Sequence, residues 1–149
     1  MNIQKAKIED HICLTEITKK SKAYWGYSEE QIEKWTNSLT ITEEYIKQNP
    51  VFNLIDENQI IGYYSYLTLE KNQVKLDNLF ILPEYIGKGF GSFLMNDFLK
   101  KMRNEKTSKI ILDSEPNAEP FYKKIGFIKI GEFETSIKNR FMPIMEMNL

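Results

Sequence analysis

The sequence predicts a mixed α/β or α+β fold in which helices cover a sheet, and three observations carry that expectation. Strand-like segments separated by tight turns fill the middle of the chain. Beyond them, strand and helix patterns alternate toward the C-terminus. The 149 residues, 42% hydrophobic and 28% charged, suit one domain spanning 1–149 around one core.

Residues 2–7 read as a short first strand. From Glu9 the pattern becomes helical, with Ile12, Cys13, Leu14 and Ile17 facing inward. The stretch SKAYWGY at 21–27 should break that helix. Ser28 then looks like an N-cap, followed by Glu29, Glu30 and Gln31 and a helix through Trp35. Thr42 caps a further short turn that ends before Pro50. VFNLIDENQIIGYYSYLTLE, at 51–70, makes two strands around the Asp56-Glu57-Asn58 turn. Residues 73–82 form the next strand, stopped by Pro83. Phe90, Leu94, Phe98 and Met102 recur at helical spacing. SKIILDS at 108–114 is a buried strand. Residues 117–125 form a short helix with Asn117 as its cap and Gly126 as its stop, and 127–131 and 142–147 complete the sheet.

Composition excludes several classes. A net charge of −1 argues against a general nucleic-acid binder, which is usually distinctly basic. The N-terminus carries charges where a signal peptide needs apolar residues, and no apolar run approaches the ~18 residues that span a bilayer. Cys13 is the single cysteine, so no internal disulfide forms; with one His beside it, a His/Cys zinc site within one chain is excluded, and no metal is expected. The expectation is a soluble, cytoplasmic protein with no nucleic-acid or membrane partner.

The most informative stretch is LFILPEYIGKGFGSFL at 79–94. Gly87, Gly89 and Gly91 lie between a strand and an amphipathic helix, where backbone amides can approach a ligand without a Cβ in the way. The helix directs its positive end at the same place, which favours an anion such as a diphosphate. A plain flexible turn would also use glycines there. The dinucleotide fingerprint fails because position 92 is Ser92, and a Walker loop fails because Lys88 is followed by Gly89.

These residues resemble the GCN5-related N-acetyltransferase (GNAT) family, which binds acetyl-coenzyme A. Its pattern is a strand ending in hydrophobic-x-Pro, then Arg/Gln-x-x-Gly-x-Gly/Ala opening a helix. Ile81-Leu82-Pro83 and Ile86-Gly87-Lys88-Gly89-Phe90-Gly91 match, with Ile86 where Arg or Gln is usual. NAEPFYKKIGF, from Asn117 through Phe121-Tyr122 to Gly126-Phe127, resembles a second block of that family. The resemblance implies a GNAT-like fold with a central, mixed, mostly antiparallel sheet flanked by helices. It implies an acetyltransferase with acetyl-coenzyme A as cosubstrate, acting on the amine of a small molecule or peptide by direct attack in a ternary complex. It assigns Phe80 and Ile81 to the pantetheine arm and the segment Gly87, Lys88, Gly89, Phe90, Gly91 and Ser92 to the pyrophosphate. It also places Asn117 near the pantetheine end and Tyr122 at the thioester sulfur. A homodimer is compatible with everything in the sequence.

The chemistry bounds the catalytic residues. An amine of pKa ~10.4 must be neutral to attack, which costs roughly 4.6 kcal/mol at pH 7. Asp77, on the strand that feeds the glycine loop, is the first candidate base; Asp113 and Glu115 follow, and each can act through water. Tyr122 faces an uphill proton transfer, since a tyrosine of pKa ~10 would protonate a thiolate of pKa ~8.5 at a cost of roughly 2 kcal/mol. Stabilising the thiolate through the hydroxyl is therefore the expected role. A core tyrosine packed on Phe121 is the bland alternative.

For the acceptor the sequence gives conflicting pointers. Tyr24, Trp25 and Tyr27, with Trp35, can wall an amine pocket through their ring faces. Glu29, Glu30 and Glu33 can attract a polyamine, whereas Arg140 can pair with a substrate carboxylate. A non-catalytic acyl-coenzyme A sensor on the same fold, or a protein for another phosphate ligand, are the competing classes.

Overall fold

In a computed structural model describing residues 1–149, β1 (Asn2–Lys5) pairs antiparallel with β2 (Val51–Asp56). β2 returns as β3 (Gln59–Thr68) through Glu57 and Asn58, whose φ angles of 49° and 63° give the two-residue turn that suits strand twist. β4 (Gln73–Ile81) follows, and Pro83 starts a 3-10 turn that ends it. Seven strands form one sheet in the order β1-β2-β3-β4-β5-β7-β6, with β5 at Lys109–Asp113, β6 at Ile128–Glu134 and β7 at Phe141–Asn148. β4 and β5 run parallel and pair over Gln73–Lys75 and Lys109–Ile111. The β1–β2, β2–β3, β5–β7 and β6–β7 pairs are antiparallel, so the sheet is mixed and mostly antiparallel. The helices are α1 (His11–Tyr24), α2 (Glu29–Lys34), α3 (Thr36–Leu39), α4 (Glu43–Gln48), α5 (Phe90–Asn104) and α6 (Glu119–Ile125). None is long and apolar enough to cross a membrane.

The chain forms two compact units. One comprises Met1–Tyr66 with Asn78–Lys101, the other Leu67–Asp77 with Met102–Leu149. In the first, Leu14, Ile17, Leu54, Ile61, Tyr63, Tyr64, Leu94, Met95 and Phe98 are sealed from solvent. Each such side chain stabilises by about 1.5–3 kcal/mol on burial. The buried phenols keep partners: Tyr63 meets Thr18 Oγ1 at 2.6 Å, and Tyr64 donates to Asp97 at 2.6 Å. In the second unit, Met102, Ile110, Leu112, Phe127 and Met145 make the core, and Lys75 pairs with Asp113 at 3.0 Å.

Ser28 and Thr42 cap their helices as expected, accepting from the Gln31 and Tyr45 amides. α1 runs through Ser21 and Lys22 and ends at Tyr24, inside the 21–27 stretch expected to break it, but one expectation for its inward face fails. Its buried stripe is Leu14, Ile17, Thr18 and Ser21, spaced i, i+3, i+4, i+7, and Ile12 lies off it, 65% exposed. Two of those four positions are polar, which hid the stripe; their hydroxyls are satisfied by the Leu14 carbonyl, Tyr63 and the Ile81 carbonyl.

Candidate functional site

In the first unit, the loop between β4 and α5 takes its shape from two glycines. Gly87 and Gly89 have φ of +82° and +87°, a region that side-chain-bearing residues rarely adopt. A Cβ on either would meet nothing within 4 Å, so the glycines serve backbone conformation and leave open space beside it. The Phe93 amide donates to the Gly89 carbonyl at 3.0 Å. The amides of Phe90, Gly91 and Ser92 precede that first rung of the ladder and point from the helix start. No acidic residue occupies the first turn of α5. An anion is the complementary guest. Ile86 and Phe90 are half-buried, Tyr85 packs edge-on against Phe90 at 5.6 Å, and Lys88 Nζ lies 5.9 Å from the Tyr85 ring centroid.

The end of β4 is fixed from two sides. A Cβ at Gly62 would stand 2.8 Å from the Phe80 carbonyl oxygen and 3.2 Å from Ile81 Cγ1, so only glycine lets β3 lie this close. The last turn of α1 holds the same residues: Ser21 donates to the Ile81 carbonyl, and Lys22 Nζ sits 5.9 Å from the ring centroids of both Phe80 and Trp35. Tyr27 packs edge-to-face on Trp35 at 5.0 Å. Tyr27, Trp35, Lys22 and Phe80 therefore form one cluster. Tyr24 and Trp25 do not join it; they pack on each other at 5.1 Å, 51% and 38% exposed. Glu29 and Glu33 line a groove of about 370 Å³ with Lys19, Lys20, Ala23 and Ile32, and Glu30 lies 3.7 Å from Lys34. The acidic face that can attract a polyamine thus has lysines of its own chain around it.

In the second unit, Tyr122 is buried, with Phe121 and Phe127 edge-to-face at 5.2 and 5.7 Å. Burial, with no charge or hydrogen bond set against it, pushes the phenol well above the ordinary tyrosine range. Gly126, at φ +125°, ends α6. Asn117 does not cap that helix, contrary to expectation. It lies within a 3-10 turn, Pro116–Ala118, and its Nδ2 donates to Glu115 Oε1 at 2.8 Å. Pro120 in the first turn and the preceding 3-10 turn start α6 instead, with Ala118 at its N-cap. Arg140 donates to Glu115 Oε2 at 2.7 Å, with both side chains about nine-tenths buried (11% and 10% exposed). Arg140 is thereby engaged inside the protein. Of the three candidate bases, Asp113 and Glu115 are held by Lys75 and Arg140, and Asp77 is exposed on β4.

Sequence reasoning missed Ser21, Lys22, Gly62 and the Glu115–Arg140 pair. Gly62 carried a signal, a lone glycine inside an apolar strand. The others depend on tertiary proximity and carried none.

Comparison with known proteins gives a family and a fold. The model of the acetyltransferase (GNAT) domain matches residues 25–149. A ribosomal-protein-alanine N-acetyltransferase of Haemophilus influenzae is 35% identical over 79 residues, 52% of this chain and 53% of that one. The N-acetyltransferase ycf52 of Porphyra purpurea is 29% identical over 83 residues, 53% of this chain and 48% of its own. The chain thus spans about half the length of these curated relatives. Among solved structures, the PaiA N-acetyltransferase of Thermoplasma acidophilum, in complex with coenzyme A, superposes with a TM-score of 0.83 at 24% identity, covering 99% of this chain and 98% of that one. At that identity the likeness is one of fold.

Proposed function

Because the chain belongs to the GNAT acetyltransferase domain family, we propose that it transfers an acetyl group from acetyl-coenzyme A to a primary amine by direct attack in a ternary complex. The observation that carries this reading is the glycine loop. Gly87 and Gly89 hold left-handed backbone with open space at each Cβ position, beside the helix-start amides of Phe90, Gly91 and Ser92. That arrangement fits a pyrophosphate, and it does so through backbone atoms, which the departure at Ile86 leaves intact.

The residues divide the work as follows. Phe80 and Ile81 offer backbone groups to the pantetheine arm, and Asn117 hydrogen-bonds near its end. Asp77 accepts the proton of the acceptor amine, directly or through a water. Tyr122 donates its hydroxyl to the departing thiolate. With its pKa raised by burial, the phenol stays protonated at neutral pH, and full proton transfer to sulfur is more costly than the roughly 2 kcal/mol of an ordinary tyrosine. Hydrogen bonding is then the contribution, and solvent supplies the proton later. Tyr27 and Trp35 line the approach of the amine.

A thermal-unfolding titration tests the reading, with acetyl-coenzyme A against NADH and ATP as controls. Ligand at about 100 times its Kd adds ~2.7 kcal/mol, a shift on the order of 5–10 °C for a domain of this size. A shift with acetyl-coenzyme A alone is expected, followed by turnover in a screen of primary amines. No shift at saturation removes the reading; a shift without turnover on any amine leaves the sensor class.

A further inference from the structure

The geometry points to Glu115 and Arg140 as positioning residues for the coenzyme, acting through the amide of Asn117; this rests on the coenzyme-binding reading above. Asn117 is exposed, yet one end of its carboxamide is already committed, because Nδ2 donates to Glu115 Oε1 at 2.8 Å. A carboxylate only accepts, so the amide must turn its NH2 to Glu115, and Oδ1 faces the other way as an acceptor. Glu115 is itself held in place, since Arg140 donates to its second oxygen at 2.7 Å in a pair about nine-tenths buried on both sides. The chain Arg140–Glu115–Asn117 therefore fixes the direction of one hydrogen-bond acceptor. Its complement is an N–H or O–H donor. The pantetheine arm supplies two amide N–H groups, whereas a phosphate supplies none at neutral pH. An asparagine able to flip would present donor or acceptor alike, and one orientation would waste the contact. Arg140 follows the turn that links β6 to β7, so a residue far along the sequence helps to set the donor site.

A double-mutant cycle tests this, using Glu115→Gln, Arg140→Gln and Asn117→Ala. Binding of coenzyme A and of adenosine 3′,5′-bisphosphate, which lacks the pantetheine arm, is measured by calorimetry. Either charge variant should weaken coenzyme A about five- to tenfold and leave the bisphosphate unchanged, as loss of one oriented hydrogen bond predicts. In the Asn117→Ala background, Glu115→Gln should have no further effect on coenzyme A. Since each single variant alters the charge balance of the pair, the Glu115→Gln/Arg140→Gln variant removes both charges together and is expected to bind like the single variants. Equal weakening of both ligands, or full effect of Glu115→Gln without Asn117, overturns the inference while the coenzyme reading stands. A wild-type protein that binds neither ligand overturns both.

Discussion

In the proposed mechanism the loop that opens α5 works through backbone amides, whereas α6 works through one phenol oxygen. The difference decides what a substitution can remove. Conformation carries the loop, since Gly87 and Gly89 sit at φ values that other residues reach only with strain. Environment carries Tyr122, which is buried between Phe121 and Phe127 and titrates above its ordinary range. A backbone site should fail in binding, and a side-chain site in turnover.

The largest effect should come from the side chain. Tyr122→Phe keeps the ring and its packing and deletes only the hydroxyl, so kcat should fall on the order of 10²-fold, as when one donor to a developing anion is lost. The Kd for coenzyme A should stay within about twofold. Steady-state kinetics with calorimetry reads both numbers, and unchanged kcat would return Tyr122 to the core.

Gly89→Val reverses the pattern. A β-branched residue at φ +87° costs about 1–3 kcal/mol of backbone strain or moves the loop, so coenzyme A affinity should drop about tenfold or more. Gly26 supplies the control: its φ is +92° and a Cβ there also meets nothing within 4 Å. Gly26→Val should lower Tm comparably while leaving coenzyme A affinity within about twofold. Equal affinity losses in both variants would mean that strain alone, not the cradle, had been measured.

Asp77→Asn sharpens the comparison from a third position, the exposed strand carboxylate. Its kcat/KM at neutral pH should fall about tenfold, and the acid limb of the pH–rate profile should flatten. A profile unchanged in shape would move the base elsewhere.

The same contrast explains how much was readable beforehand. The loop was visible because glycines with positive φ leave a compositional mark, and Gly126 and the turn at Glu57-Asn58 were visible for related reasons. The strands appeared through the turns that bound them and, at 108–114, through the Ile-Ile-Leu run. What stayed hidden was set by tertiary partners. Thr18 and Ser21 face inward because Tyr63 and the Ile81 carbonyl receive them. Asn117 looked like a cap by residue type, yet Glu115 offers its amide a charged partner two residues away. Arg140 resembled an open cation until the fold brought Glu115 to it across 25 positions.

The smallest effect tests the environment of Tyr122 without substrate. Burial raises its folded pKa above the unfolded value of about 10. Below pH 10 the phenol is neutral in both states, so its contribution is fully present. As pH rises past 10, the unfolded chain releases the proton and the folded one retains it, and stability declines toward the folded pKa. Half a unit above 10, the expected loss from this group is about 0.8 kcal/mol. Tyr122→Phe lacks the group, while the other tyrosines titrate alike in both proteins. The stability difference between wild type and variant should therefore be flat from pH 8 to about 9.5 and then narrow or reverse by that amount at about pH 10.5. Urea unfolding at each pH measures it. A constant difference throughout would show that Tyr122 ionises as readily in the folded protein as in the unfolded chain, and the tight aromatic enclosure on which its protonated role depends would be wrong.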